Sequence, residues 1–231
     1  MRCMYRKLNI EKIIEAIHLL SLRISDRFPE AGLLKVCNEL RALAVMSKRN
    51  MERVDKPYRY FRLAVYLLIL IATASILYTL SHLKTDDTIT SFQNFVTVSE
   101  SLINEIAMIG AAFYFLYRLE DILKQKIILN ALNELRTIAH IIDMHQLTKD
   151  PAYILIERTK HSPNRELTKN DLSRYLDYCS EMLSLTSKVA AIYGNNNKDQ
   201  VILTTIHDIE ILCSSLSGKI WQKIGLNNLQ K

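Results

Sequence analysis

The chain has 231 residues, 49% hydrophobic and 23% charged, with only five glycines and four prolines. That composition excludes collagen-like, low-complexity and disulfide-scaffold classes, and the scarcity of breakers favours helix. Thirty Lys and Arg against 24 Asp and Glu leave a formal net charge of +6, too modest an excess to identify a nucleic-acid partner before the positions of the charges are known.

The first predicted element runs from Leu8 to Ile24, where Ile10, Ile13, Ile14, Ile17, Leu20 and Ile24 share one helical face. Glu11, Lys12 and Glu15 interrupt any continuous apolar run, so no cleavable secretory signal is expected there. The string DRFPEAG ends this helix, and Leu33, Val36, Cys37, Leu40 and Leu43 open a second amphipathic one. Together they form an expected amino-terminal cytoplasmic segment, residues 1–62. It closes on a basic run, Lys48, Arg49, Arg53, Lys56, Arg59 and Arg62. This juxtamembrane cluster reads as a topology signal rather than a lipid-recognition site, although each basic group near an anionic surface is worth about 1 kcal/mol.

From Leu63 to Leu80 there is no charge, proline or glycine. At 1.5 Å per residue that run covers roughly 27 Å, close to a hydrocarbon core of about 30 Å, so residues 63–83 are expected to cross a membrane. A second crossing is expected over residues 96–117, although only Ile106–Leu116 is uniformly uncharged. Pairing the two as a hairpin, 63–117, keeps Arg118, Lys124 and Lys126 on the same side as the first basic run. Both termini are then cytoplasmic and the connection KTDDTITSFQNF faces outward.

The second crossing carries a polar stripe. Ser101, Asn104 and Met108 recur at helical steps with Glu105 beside them, and Gly110 follows among small residues. An ionised carboxylate facing lipid costs about 2.5–3.5 kcal/mol, so Glu105 needs water, a partner helix or a proton. One reading puts the outer boundary a turn deeper, with Glu105 snorkelling and Asn104 bonding across the hairpin. The other has several copies turning the stripe inward, so that carboxylates ring a cation path and AMIGAA forms its tight inner half.

After Tyr117 the period continues through Ile122, Leu123, Leu132, Leu135, Ile138 and Ile142, which predicts a cytoplasmic stalk helix over 118–149. Residues 150–170 read as loop. Thr168 and Asp171 have capping-box character ahead of the last predicted unit, 171–224. There, Leu172, Leu176, Cys179, Leu183, Thr186 and Ala190 alternate in steps of four and three, as do Ile202, Ile206, Ile209, Cys213, Leu216 and Ile220. Folded symmetrically about Asn196, the two stretches form an antiparallel helical hairpin that sets Cys179 against Cys213. The fold expected is therefore all-α: a two-helix transmembrane hairpin, a cytoplasmic helical bundle and a carboxy-terminal helical hairpin.

Cys3, Cys37, Cys179 and Cys213 show no CxxC pair and no zinc-ligand spacing, so reduced core thiols are expected. His140, Asp143, His145 and His161 come nearest to a metal or acid–base cluster, but His145 lies five residues from His140, on another face of a helix. No nucleophile elbow, phosphate-binding loop, HExxH or dinucleotide fingerprint is present. No catalytic residue, cofactor or metal is expected, and direct nucleic-acid binding is not expected either, because the basic excess gathers beside the membrane segment.

The two-crossing hairpin with cytoplasmic helices at both ends resembles the two-helix membrane effectors of bacterial antiphage defence, of SLATT type or associated with retrons. HIIDMHQLTKDP and RYLDYCSEMLSLTSKVAAIYG are also similar to bacterial helical proteins without a catalytic motif. The resemblance covers architecture. It implies a bacterial inner-membrane protein that forms homo-oligomers, is held quiet by a partner such as a cytoplasmic protein or ribonucleoprotein regulator or by its oligomeric state, and perturbs the lipid bilayer when released. The rival expectation is a membrane anchor whose helical tail recruits a soluble complex.

Overall fold

The computed structural model describes residues 8–56, 59–83, 92–147, 149, 167–195 and 197–229. They form helices α1 (Ile10–Arg27), α2 (Gly32–Val54), α3 (Arg59–Leu83), α4 (Phe92–Leu147), α5 (Lys169–Ile192) and α6 (Gln200–Leu229), with no strand among the described residues. The protein is all-α. Cys3, His161, most of the expected 150–170 loop and residues 84–91 of the expected outer connection lie outside the described residues.

The chain divides into two compact units. One joins Met1–Arg53 to Ile127–Lys231, and the other is Val54–Lys126. The first is a bundle of α1, α2, the last part of α4, α5 and α6, so residues 127–147 are a bundle helix rather than a separate stalk. Its core begins at Ile128 and runs through Leu132, Leu135, Ala139 and Ile142, whereas Ile122 and Leu123, expected on the same apolar face, are exposed. The faces predicted for α1 and α2 are buried at Ile13, Ile17, Leu20, Ile24, Leu33, Cys37 and Leu40. Each fully buried leucine or isoleucine contributes about 1.5–3 kcal/mol relative to exposure.

Local chemistry sets the helix ends. The Asn9 side chain accepts a hydrogen bond from the Glu11 backbone N–H at 2.8 Å, and the Thr168 hydroxyl accepts one from Asp171 N–H at 3.2 Å while donating to the Asp171 carboxylate at 2.7 Å. Each satisfies a donor that the first turn of a helix leaves unpaired. At the far end of α4, the Lys223 ammonium donates to the Gln146 carbonyl at 3.2 Å and to its side-chain oxygen at 2.6 Å. A cation from α6 thus answers the negative end of the α4 dipole.

Contacts within the bundle fix the helix directions. Arg23 pairs with Glu181 at 2.6 Å and Arg27 with Asp171 at 3.4 Å, so α1 and α5 are antiparallel. Lys48 reaches Glu11 at 2.8 Å, which makes α2 antiparallel to α1. Arg136 to Asp208 at 3.7 Å, with Lys223 on Gln146, makes α4 parallel to α6. Gly32, at the start of α2, abuts His145, near the end of α4. The Tyr193 hydroxyl lies buried among Ser47, Asn50 and Glu134, and burial pushes its pKa up. Arg53 and Ile127 therefore sit at the same end of the bundle as the α5–α6 turn.

The α5–α6 hairpin buries the faces expected of it, including Leu176, Cys179, Leu183, Ile209, Cys213 and Leu216. Its register differs. The Asn227 amide donates to the Lys169 carbonyl at 3.0 Å and to the Ser173 hydroxyl at 2.8 Å. Cys213 has the main chain of Ser187 as a hydrogen-bonding neighbour, and Ile206 lies beside Gly194. These pairs are displaced by about one seven-residue repeat from a fold symmetric about Asn196. A shift of seven keeps the same residues buried because the pattern itself recurs every seven. It moves Cys213 away from Cys179 by about 10 Å along the axis, beyond the reach of a disulfide. Oxidation is accordingly expected to leave Cys179 and Cys213 as thiols in the native chain, whereas Ser187→Cys should cross-link to Cys213. Peptide mapping under non-reducing conditions reads both, and a Cys179–Cys213 disulfide would restore the symmetric register.

Candidate functional site

The unit Val54–Lys126 contains the polar stripe singled out above. All five stripe positions belong to α4, which spans Phe92–Leu147 as one 56-residue helix. Asn104 is exposed, Glu105 is half-exposed and Met108 is 75% exposed. Gly110 is exposed, and among the described residues no atom stands within 4 Å of a Cβ built on it. Ser101 falls within the helix, but its side chain lies outside the described residues.

Around the stripe the surface is apolar. Leu67, Leu70 and Leu77 on α3, and Ile103, Ile106 and Phe115 on α4, are each exposed in this chain. The Thr73 hydroxyl donates to the Leu70 carbonyl at 2.9 Å, so this polar group is satisfied inside its own helix, as an apolar medium requires. Scattered exposed apolar residues are ordinary on a soluble surface; here several large ones follow one another along each of the two helices. Toward the end of the unit, Lys124 reaches Glu120 at 2.8 Å with the acidic partner one turn earlier, the favourable order on a helix.

The basic run is divided between the units. Lys48, Arg49 and Arg53 belong to the bundle, and Lys48 is held by Glu11 at 2.8 Å, which draws the Glu11 carboxyl below its ordinary pKa. Arg49, Arg53 and Lys56 are exposed; Arg59 and Arg62 begin α3, and their side chains lie outside the described residues.

The histidine segment separates in space. His140 is exposed, Asp143 accepts from the Gln146 amide, and His145 turns into a cavity of about 390 Å3 bounded by Phe28, Gly32, Met144, Lys149 and Tyr175. Burial, then the nearby Lys149 ammonium, hold the His145 pKa below its ordinary value. His145 fits closely here: a Cβ on Gly32 would stand 2.7 Å from its Cε1, so glycine permits the approach. Phe28 meets Tyr175 edge-on at 5.5 Å, and Lys149 stands 5.5 Å over the Tyr175 ring. Among the described residues no group of three His, Cys, Asp or Glu side chains is placed to hold a metal. Cys37, Cys179 and Cys213 are free and buried, and burial raises their thiols to about 11, about 12 and about 11. Raised in this way, they are poor nucleophiles.

Sequence reasoning did not single out α6 as a membrane candidate. Among the described residues Gln200–Asn227 is long and apolar enough to cross a membrane by length and composition, and most of it lies outside the core, while Leu63–Tyr78 is a shorter apolar stretch. The repeating core positions of α6 had accounted for its apolarity, although Val201, Ile211, Trp221 and Leu226 lie outside that face and are exposed.

No family model matches the chain, and neither the curated proteins nor the solved structures contain a significant match.

Proposed function

We propose that this chain is an integral membrane effector whose Val54–Lys126 unit lies in the bilayer, crossing at residues 63–83 and 96–117, with both termini on the cytoplasmic side of a bacterial inner membrane. The observation that carries this reading is the run of exposed large apolar residues on α3 and on α4, broken on α4 by Asn104 and Glu105. Hydrocarbon is the medium in which such a surface costs nothing, while the stripe needs an aqueous path or a neighbouring helix. Oligomers that gather several stripes around one axis would permeabilise the membrane, an activity suited to antiphage defence under the control of a cytoplasmic regulator.

The test is dye entry and loss of membrane potential after expression in bacteria. Glu105→Ala and Asn104→Leu are expected to abolish both, and His140→Ala to leave both unchanged. Absence of leakage together with recovery of a stable cytoplasmic partner would replace the effector with an anchor; loss with His140→Ala alone would point to chemistry in the histidine segment.

A further inference from the structure

The cavity beside His145, about 390 Å3, is at the small end of the range that organic ligands occupy. Phe28, Met144, Leu167 and Tyr175 give it apolar and aromatic walls, and no carboxylate is among the described residues that line it. The polar groups that do line it favour negative charge. Lys149 stands 5.5 Å over the Tyr175 ring and forms no ion pair among the described residues. His145 makes no hydrogen bond among the described residues, so its ring has an N–H to offer. Gly32 begins α2, whose first turn carries no acidic residue to answer the positive end of the helix dipole. The carboxylates closest in sequence are engaged elsewhere: Asp143 accepts from Gln146, and Asp171 accepts from Thr168 with Arg27 at 3.4 Å. Burial and then the Lys149 ammonium lower the His145 pKa, and an anion between the two would reverse the second cause.

We propose that this cavity binds a small aromatic carboxylic acid, its ring among Phe28, Met144 and Tyr175 and its carboxylate at Lys149 and His145. One ammonium and one imidazole match one carboxylate. A phosphate would bring more charged oxygen into an apolar enclosure than these two groups can pair, and the sugar of a nucleotide would bury hydroxyls without partners. An apolar body with a single anionic end meets both features of the lining, broad apolar contact and a few polar groups that fix orientation. The site stands apart from the membrane reading, since all of its residues belong to the bundle.

Equilibrium dialysis of the full chain in detergent against naphthoate, with detergent alone as the blank, tests the site. Saturable binding with Kd below about 1 mM is expected. Naphthamide, the same body without the charge, is expected to bind about tenfold more weakly, and inorganic phosphate is expected not to compete. Lys149→Met keeps an apolar stem and removes the ammonium; it should weaken naphthoate by about tenfold, equivalent to about 1.4 kcal/mol, and leave naphthamide unchanged. Ala31→Trp, which fills the cavity, should abolish binding of both. Met144 lies 66% exposed at the rim, so Met144→Cys should react with a maleimide, above the background of the native chain, and be protected by naphthoate. That protection locates the site even if Ala31→Trp perturbs folding. Equal binding of acid and amide would leave an apolar cavity without an anion site and overturn the proposal. So would naphthoate binding undiminished by Lys149→Met, absence of saturable binding, or displacement by phosphate, which would assign the cavity to a different anion.

Discussion

Leu70→Arg is expected to expel the protein from membranes. Leu70 sits midway along Leu63–Tyr78, is 66% exposed, and has no acidic residue within that stretch to receive a guanidinium. The stretch covers about 24 Å as a helix, slightly short of a hydrocarbon core, so it has little apolar surplus with which to offset a charge. Arginine at the centre of a crossing costs about 2.5–3.5 kcal/mol, which moves an insertion equilibrium by roughly a hundredfold. Carbonate extraction of bacterial membranes measures the change: native protein should remain in the pellet and Leu70→Arg in the supernatant or degraded. The same replacement at Ile211, exposed on α6, should leave recovery in the pellet unaltered. If the two variants behave in the opposite way, α6 rather than α3 is the membrane element and the proposed hairpin fails.

The second large effect concerns the bundle. Leu183 is fully buried on α5, whereas Leu226 on α6 is 51% exposed. Leu183→Ala removes apolar contact and leaves a cavity that the close-packed helices fill only in part, a loss of about 2–5 kcal/mol. Leu226→Ala, at the surface, should stay within about 0.5 kcal/mol of the native chain. Because domains are stable by only about 5–15 kcal/mol, the first change removes a large share of the total. Thermal unfolding should show it as a fall of roughly 2–4 °C for each kcal/mol lost. Equal shifts for the two variants would mean that the α5–α6 seam is not the core of this bundle.

Much of the fold was legible in the residues. Apolar positions at steps of three and four located the buried faces of α1, α2, α5 and α6, and Thr168 with Asp171 marked the start of α5 through the hydrogen bonds it makes. The stripe at Asn104, Glu105 and Met108 was legible as a face of one helix, since that requires only the helical repeat. Less visible was the division of the basic run between two units, because net charge carries no information about which helix will capture Lys48. The cavity beside His145 was equally hidden: Phe28 and Gly32, His145, and Tyr175 come from three stretches of chain and meet only when the bundle closes.

The sequence by itself determined the all-α class, the faces on which the helices pack and the presence of a long uncharged stretch from Leu63, since each follows from local periodicity and the cost of unpaired polar groups. Tertiary structure alone decided the α5–α6 register, the inclusion of residues 127–147 in the bundle, and the exposure of Ile211 and Trp221 on a helix as apolar as a membrane span. The reason is the same in each case. A seven-residue repeat specifies which side of a helix is buried but is unchanged by a slide of seven, so the choice falls to contacts between distant residues, such as Asn227 on Ser173 and Lys223 on Gln146.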